Sequence, residues 1–264
     1  MQTILYQHTA PSEPITIHAD CNVANIVVSN GDELSVLLEG DEHFHHGARC
    51  ELRDNGLYVH LPAQKEAWHK TFFTSIDRKI PRLNVIAPAG THINMRTLTG
   101  SLRMDGRFGN IHATSNAGSI VAGEVELLSA RANAGKITVE RVQNIDAVCD
   151  AGGVKIGAVG SGKIHVSAGQ VRIGEVTGTV QLHADAGSIR IDHARACTLD
   201  AVSSLGSIKV AVEPGIPVWT DCHASTGKVR TNLQQTEHPE QQQECARIRA
   251  RTTVGSIELE RARG

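Results

Sequence analysis

Five cationic residues recur at a regular interval in the second half of the sequence. A lysine or arginine stands every 17 to 21 residues, at Lys155, Arg172, Arg190, Lys209 and Arg230. If each interval is one turn of a repeating structure, these side chains form a single column, which we call the basic stripe. A column of cations can attract an anionic polymer or an acidic protein, and it can equally serve solubility. Both roles remain open.

Histidine is the second residue type that suggests chemistry, with 14 copies. Three of them lie in the segment DEHFHHG, predicted to be a loop between strands: His43, His45 and His46. Closely spaced imidazoles can share a metal ion, so these three are weak metal candidates beside the simpler interpretation as a solvated loop. Another three fall at equivalent positions of separated repeats and are interpreted as surface residues: His165, His183 and His223. We predict no bound metal and no cofactor.

No enzyme motif accompanies these residues. The sequence lacks G-x-S-x-G, a Walker loop, H-E-x-x-H and a dinucleotide fingerprint. Carbohydrate-active enzymes built on β-coils cluster their carboxylates, whereas the outward acids here are spread over several repeats, at Asp146, Asp150, Asp185 and Asp200. We therefore predict a protein that is not an enzyme, with a carbohydrate-active β-helix enzyme as the disfavoured alternative.

The elements that carry these residues are short repeated strands. A six-residue unit centred on glycine occurs nine times between residues 99 and 259, as TGSLRM, AGSIVA, AGKITV, AGGVKI, AGQVRI, AGSIRI, LGSIKV, TGKVRT and VGSIEL. Aliphatic residues stand two and four positions after the glycine, which is the alternation of a strand with one buried face. Each glycine supplies a tight corner through positive φ or close backbone approach.

A second strand precedes each glycine. In one repeat, four residues are predicted to point inward: Val180, Leu182, Ala184 and Ala186. Cys149 and Cys222 fall at such interior positions as well. Two residues before most glycines stands Asn, Asp or Ser, which favours a polar turn ladder. The repeats predict an all-β fold, a β-solenoid of right-handed, single-stranded parallel β-helix type with an N-terminal β-strand cap.

The chain is predicted to have two parts. Residues 1–80 form an N-terminal β region that caps the first coil, and within it residues 63–80 form a loop or short helix. Residues 81–264 form the solenoid, with a flexible insertion at 232–245. The aromatic residues of the first segment pack as a lid or mark a partner site: Trp68, Phe72 and Phe73. The last coil, GSIELERARG, carries charges that would discourage end-to-end stacking.

Composition narrows the class of protein further. The net charge of −2 makes nucleic acid an unexpected partner, and aromatic residues are only 3% of the chain, which suits coils filled by Val, Ile and Ala. No stretch is apolar enough to span a membrane and no secretory signal is visible, so we expect a cytoplasmic protein. The six cysteines form no C-x-x-C pair and are expected to be reduced thiols.

Three segments carry a resemblance to a known family. They are NIVVSNGDELSVLLEG near the start, LNVIAPAGTHINMRTLTGSLRM at residues 83–104, and the G-S-I and G-K-I units that follow. Together they resemble a bacterial family called "putative adhesin", a domain of unknown function related to GIN-type auto-transporter head domains. The resemblance covers most of the chain. It implies a β-helix-like fold, and it implies no activity because the family has no established catalytic residues.

These observations favour a non-enzymatic β-solenoid scaffold or binding module. Its partner is unknown, with a protein or an anionic polymer as the candidates. The alternative from another class is a self-assembling structural protein, in which solenoids stack into filaments. The charged last coil counts against that alternative.

Overall fold

The alternating sequence pattern forms strands along most of the chain. A computed structural model describes residues 2–9, 15–45, 47–54, 56–61, 80–233 and 245–262. Within these ranges the protein is all-β, with eighteen strands and one helical turn, α1 (Glu42–His45), where a loop was predicted. The chain divides into two compact units, Met1–Val125 and Glu126–Gly264. The division predicted from the sequence, between residues 80 and 81, separates a cap from the coils and does not concern compactness. That division stays a prediction.

Nine strands lie entirely within the first unit: β1 (Gln2–Thr9), β2 (Thr16–Val23), β3 (Asn25–Asn30), β4 (Glu33–Glu39), β5 (Arg49–Arg53), β6 (Gly56–Leu61), β7 (Arg82–Ala87), β8 (His92–Thr99) and β9 (Leu102–Ala117). β2 pairs in parallel with both β6 and β8, and β3 pairs in parallel with both β7 and β9. β4 is antiparallel to β1 and β7, and β5 is antiparallel to β6. Thus β2 and β3, which the sequence assigned to the cap, have neighbours on both sides.

The second unit contains most of the repeats. Its strands are the larger part of β10 (Ile120–Val176) and all of β11 (Thr179–Ala186), β12 (Ile189–Ala194), β13 (Thr198–Leu205), β14 (Ile208–Val212), β15 (Val218–Thr226), β16 (Val229–Thr231), β17 (Ala246–Val254) and β18 (Ile257–Arg261). Every pairing among the strands from β10 to β18 is parallel and joins equivalent positions of neighbouring repeats. We call the two consecutive strands of one repeat a rung.

The order of rungs in space differs from their order in the sequence. β13 pairs with β17 and β17 pairs with β15, while β14 pairs with β18 and β18 pairs with β16. The rung β17–β18 therefore lies between β13–β14 and β15–β16. The expectation that the charged segment GSIELERARG forms the end coil is wrong, since that segment has a described rung on each side.

The interior matches the predicted alternation in most repeats. The residue two positions after glycine is buried in eight of the nine repeats: Leu102, Ile120, Ile137, Val154, Val171, Ile189, Ile208 and Ile257. The ninth, Val229, is 45% exposed because its rung, β15–β16, has a neighbouring rung on only one side in the described part of the chain; we call it the outer rung. Cys222 on the same rung is only half-buried, whereas Cys149 is fully buried. Ala186, predicted to point inward, is exposed at the corner where its strand ends.

Glycine is required at the corners by close backbone approach. At Gly169 φ is +150°, and a Cβ there would overlap the carbonyl oxygen of Gly152 on the neighbouring rung. A ladder of hydroxyl groups that the sequence did not predict lies three residues before several glycines. The hydroxyls of Ser115, Ser203 and Thr252 donate to the carbonyl oxygens of the preceding rung's glycine, at 2.9 to 3.3 Å. These three side chains are buried, and the bonds give each hydroxyl group the hydrogen-bond partner that it cannot find in solvent.

Candidate functional site

The basic stripe runs along β10, β12, β14 and β16, and the parallel register stacks its members. Arg172 lies opposite Arg190, and Arg190 lies opposite Lys209. The next residue in the column is not Arg230 but Glu258, which pairs with Lys209 on one side and Arg230 on the other. The prediction of five cations on consecutive coils is therefore wrong at this point, because it followed the order of repeats in the sequence.

Carboxylates from the same face balance the stripe. Asp192 accepts from Arg190 Nε at 2.7 Å and from Arg172 Nη2 at 3.1 Å. Burial acts to raise the pKa of Asp192, but the two guanidinium groups outweigh it and the pKa is lowered. Lys209 Nζ lies 3.0 Å from Glu260 and 3.3 Å from Glu258. The hydrogen bond to Glu260 is the main cause of a raised pKa of Lys209.

These charges border a shallow depression of about 300 Å³. Arg190, Asp192, His193, Lys209, Ala211 and Glu260 line it. His193 Nδ1 lies 3.2 Å from Glu213, so another possible charge pair adjoins the depression. At Arg172, Arg190 and Lys209 a ligand would therefore meet cations that already have carboxylate partners. Whether the stripe binds an anionic partner stays a prediction.

A different outward face of the same unit brings two histidines together. His165 on β10 lies opposite His183 on β11, with ring centroids 5.1 Å apart and ring planes 13° from parallel. His183 Nε2 is 2.8 Å from Asp185 Oδ1, and His165 Nε2 is 3.5 Å from Asp185 Oδ2. The hydroxyl of Ser167 is 3.4 Å from His165 Nε2. We call His165, His183 and Asp185 the histidine pair site.

The sequence prediction for these histidines was wrong in part. His165 and His183 were assigned to separated coils, but they occupy adjacent rungs and share one carboxylate. The sequence feature that could have predicted this proximity is their common position, four residues before Gly169 and Gly187. His223, the third member predicted for this column, does lie in it, but Val202 and Arg251 separate it from His183.

A second depression, of about 410 Å³, runs beside the histidine pair site. Its polar lining comes from Asp146, Lys163, His165, Gln181, His183 and Asp200. Asp200 Oδ2 is 3.9 Å from Arg249, while its Oδ1 is buried without a hydrogen-bond partner in the described part of the chain. Two of the four outward acids, Asp146 and Asp200, therefore line one depression, although the sequence placed them in different repeats.

The remaining predicted sites lie largely outside the described residues. His45 Nε2 is 3.3 Å from the carbonyl oxygen of Gly40. The residue His46 and the side chain of His43 lie outside the described part, so a shared metal there stays a prediction. The same applies to the aromatic residues Trp68, Phe72 and Phe73, and to most of the predicted insertion at 232–245.

The cysteines have the environment of structural thiols. Burial raises the pKa of Cys21 to about 12 and that of Cys197 to about 11. Burial also raises the pKa of the Cys149 and Cys222 thiols. Because the thiolate is the nucleophilic form, a raised pKa makes these side chains poor nucleophiles at neutral pH.

Comparison with known proteins shows a likeness of fold. The chain is 14% identical to a protein from Bacteroides fragilis described as a "putative adhesin", with 98% of this chain and 97% of that chain covered and a TM-score of 0.51. A "putative adhesin" from Parabacteroides merdae is 12% identical over 98% of this chain and 95% of that chain, again with a TM-score of 0.51. No protein-family model and no curated protein sequence matches the chain.

The chain therefore shares an all-β fold with these two proteins. At such low identity the likeness concerns the fold alone. Among the described residues, no helix has the length and apolar character that crossing a membrane would require.

Proposed function

We propose that the chain is a non-enzymatic, adhesin-like β-solenoid that binds a macromolecular partner through its outward faces. The observation that carries the proposal is the parallel register of the second unit, which holds outward side chains in columns over a buried aliphatic interior. A right-handed coil of single-stranded parallel β-helix type, and a relation to GIN-type head domains, are parts of this proposal. The adhesin-like fold of the two bacterial proteins supports it.

The surface chemistry favours binding over catalysis. Burial raises the pKa of several cysteine thiols, which suits side chains that pack and does not suit nucleophiles. Arg172 and Lys209 pair with carboxylates on neighbouring rungs, and Arg190 pairs with Asp192 on its own strand, as in a structural or recognition surface. A carbohydrate-active enzyme needs two carboxylates at a set separation across a substrate cleft. Turnover of a glycan by the purified chain, abolished by Asp146→Asn or Asp200→Asn, would contradict the proposal.

The basic stripe is the face that we propose for the partner. Arg172, Arg190 and Lys209 stack in register, and their side chains bond to Asp192, Glu258 and Glu260. A simple polyanion must displace these carboxylates from the cations. The carboxylates would then lie unpaired next to the bound polyanion and repel it. A protein surface that offers both signs of charge can instead pair with the cations and the carboxylates together. We therefore favour a protein partner over an anionic polymer.

A pair of charge-reversal variants tests this assignment. The first changes Arg172, Arg190 and Lys209 to Glu, and the matched control changes Lys163, Arg249 and Arg251 to Glu on the other outward face. Partners are captured from the native cells with wild type and both variants, and immobilised heparin is probed in parallel. The proposal expects one partner that is retained by wild type and control and lost with the stripe variant. Equal capture by all three proteins, or loss only with the control, would refute it.

One observation also favours self-assembly as a second candidate function. The charged coil that was expected to block stacking lies inside the unit, and the outer rung β15–β16 exposes Trp219 by 55% and Val229 by 45%. An outer parallel rung with apolar side chains can pair with another copy. Light scattering and electron microscopy over rising concentration would show filaments if this is correct. Trp219→Lys should then shorten them, and a monomer at all concentrations would exclude this function.

A further inference from the structure

We propose that the histidine pair site binds a divalent transition-metal ion, for which Zn²⁺ is the best fit. His165, His183 and Asp185 each offer one ligand atom, and these atoms lie within 4.8 Å of one another. Two imidazoles and a carboxylate are the donor types that Zn²⁺ takes in proteins. The inference does not depend on the proposed function, because the basic stripe lies on another face.

The backbone already supplies most of the organisation that such a site needs. Parallel pairing of β10 with β11 fixes His165 and His183 directly opposite each other, and Asp185 follows His183 on the same face of β11. The nitrogen and oxygen donors of a tetrahedral zinc site lie roughly 2.0 to 2.2 Å from the metal. Closing the present separations to that geometry needs rotation of the imidazole rings about χ2, a soft torsion for histidine.

The metal-free contacts leave one histidine poorly satisfied. Asp185 bonds well to His183 Nε2, at 2.8 Å, but reaches His165 Nε2 only at 3.5 Å. The other polar neighbour of that nitrogen, the Ser167 hydroxyl, stands at 3.4 Å. A cation placed between the two Nε2 atoms and the carboxylate would bond to all three, with the imidazoles carrying their protons on Nδ1.

The surroundings do not oppose a cation. In the register column, the residue beyond His183 is the half-buried Val202, and Arg251 follows only one rung later. The backbone of Arg251 therefore lies two strand spacings, roughly 10 Å, from the backbone of His183. Asp146 and Asp200 line the adjoining depression and add negative charge. Lys163 is the nearest opposing charge on the strand of His165, two residues before it.

The site is open to solvent. The side chains of His165, His183 and Asp185 are 39%, 44% and 49% exposed. Three protein ligands leave a tetrahedral ion with one coordination position for water or for a donor from another molecule. An ion held here would therefore remain accessible from the depression lined by Asp146 and Asp200.

Metal titration of the full chain tests the proposal. Chelator-treated protein is titrated with Zn²⁺ by calorimetry, and with Co²⁺ while the visible absorption of a tetrahedral site is recorded. We compare wild type with His165→Gln/His183→Gln and with Asp185→Asn. Two controls are His193→Gln, on the stripe face, and the triple variant His43→Gln/His45→Gln/His46→Gln, which removes the other metal candidate. Because the side chains of His165, His183, Asp185 and His193 are partly exposed, the melting temperatures of those variants without metal should agree with wild type. The melting temperature of the triple variant is recorded in the same way to show that it is folded.

The expected result is one equivalent of Zn²⁺ bound by wild type, and an affinity reduced by more than about tenfold in both site variants. Both controls should retain the wild-type affinity, and added Zn²⁺ should raise the melting temperature of wild type and controls only. Three outcomes would overturn the proposal. They are no binding by wild type, unchanged affinity after loss of both histidines, and loss of binding in the triple variant alone.

Discussion

Ala201 lies directly opposite Ala250 in parallel strands, although the repeat that follows Ala201 in the sequence contains Cys222. Cys222 in turn lies opposite Ala250 from the other side. The rung containing Ala250 therefore separates two repeats that are consecutive in the chain. This single relationship decides which aliphatic residues are buried, which charges meet in the basic stripe and which rung is outermost.

Aspartate substitutions distinguish the observed rung order from the order in the sequence. Ile257 is fully buried and lies between Ile208 and Val229, whereas Val229 is 45% exposed. Ile257→Asp places a carboxylate in the interior without a partner and should unfold the second unit. Val229→Asp should leave the melting temperature nearly unchanged. Circular dichroism melts check both variants, and the reverse ranking would show that the rungs stack in sequence order.

The interior assignment of a central rung can be tested by truncation of one side chain. Ile189 is buried between Val171 and Ile208, so Ile189→Ala should lower the free energy of unfolding by about 2–5 kcal/mol through cavity formation. Its neighbour Arg190 points outward, and Arg190→Ala should cost less than about 1 kcal/mol. Urea unfolding measures both values. Similar losses in the two variants would contradict the inward and outward assignment.

Substitution of two glycines with positive φ distinguishes the cost of an unfavourable backbone dihedral from the cost of steric overlap. Gly215 has φ +83° and open space around it, so Gly215→Ala should cost about 1–2 kcal/mol from the unfavourable dihedral alone. Gly169→Ala adds an overlap with the carbonyl oxygen of Gly152 and should cost clearly more, up to loss of folding. Comparison of soluble yield and melting temperature decides the ranking. Equal behaviour would remove the argument that close rung stacking requires Gly169.

Acidification should selectively weaken the salt-bridged part of the stripe. Although burial opposes it, pairing with Arg190 and Arg172 lowers the pKa of Asp192 below its ordinary 3.8. A lowered pKa in the folded state stabilises the fold above pH 3.8, and this contribution is lost as pH falls through the folded value. Asp192→Asn should therefore cost about 0.2–1 kcal/mol at pH 7. In urea unfolding, a cost that stays constant or grows below pH 3.8 would contradict this account.

The strands and their buried faces were predictable because the signal is local. Alternation at Ile189 and Ile191, or Ile208 and Val210, needs only the neighbouring residues to predict which side chains are buried. The order of rungs was not predictable from the repeats, since TGKVRT and VGSIEL offer nearly the same backbone to a neighbour. The polar Thr231 at an inward position was the one hint that its rung lies outside, and the structure leaves it exposed.

The candidate sites divide in the same way. The alignment of Arg172 with Arg190, and of His165 with His183, follows from counting residues to the nearest glycine. The convergence of two histidines on Asp185 depends on side-chain rotamers, about which repeat spacing says nothing. The pairing of Lys209 with Glu258 depends on rung order and was missed for that reason.

The displaced rung also constrains the timing of folding. β15 and β16 leave the ribosome before β17 and β18, yet their pairing partners in the second unit are the later strands. The unit therefore cannot be completed by adding repeats one at a time as synthesis proceeds. β13 and β14 must wait with an open edge, or hold β15 and β16 in a temporary pairing that the later strands displace. A repeat protein built in this way has an obligatory non-sequential step late in its biogenesis.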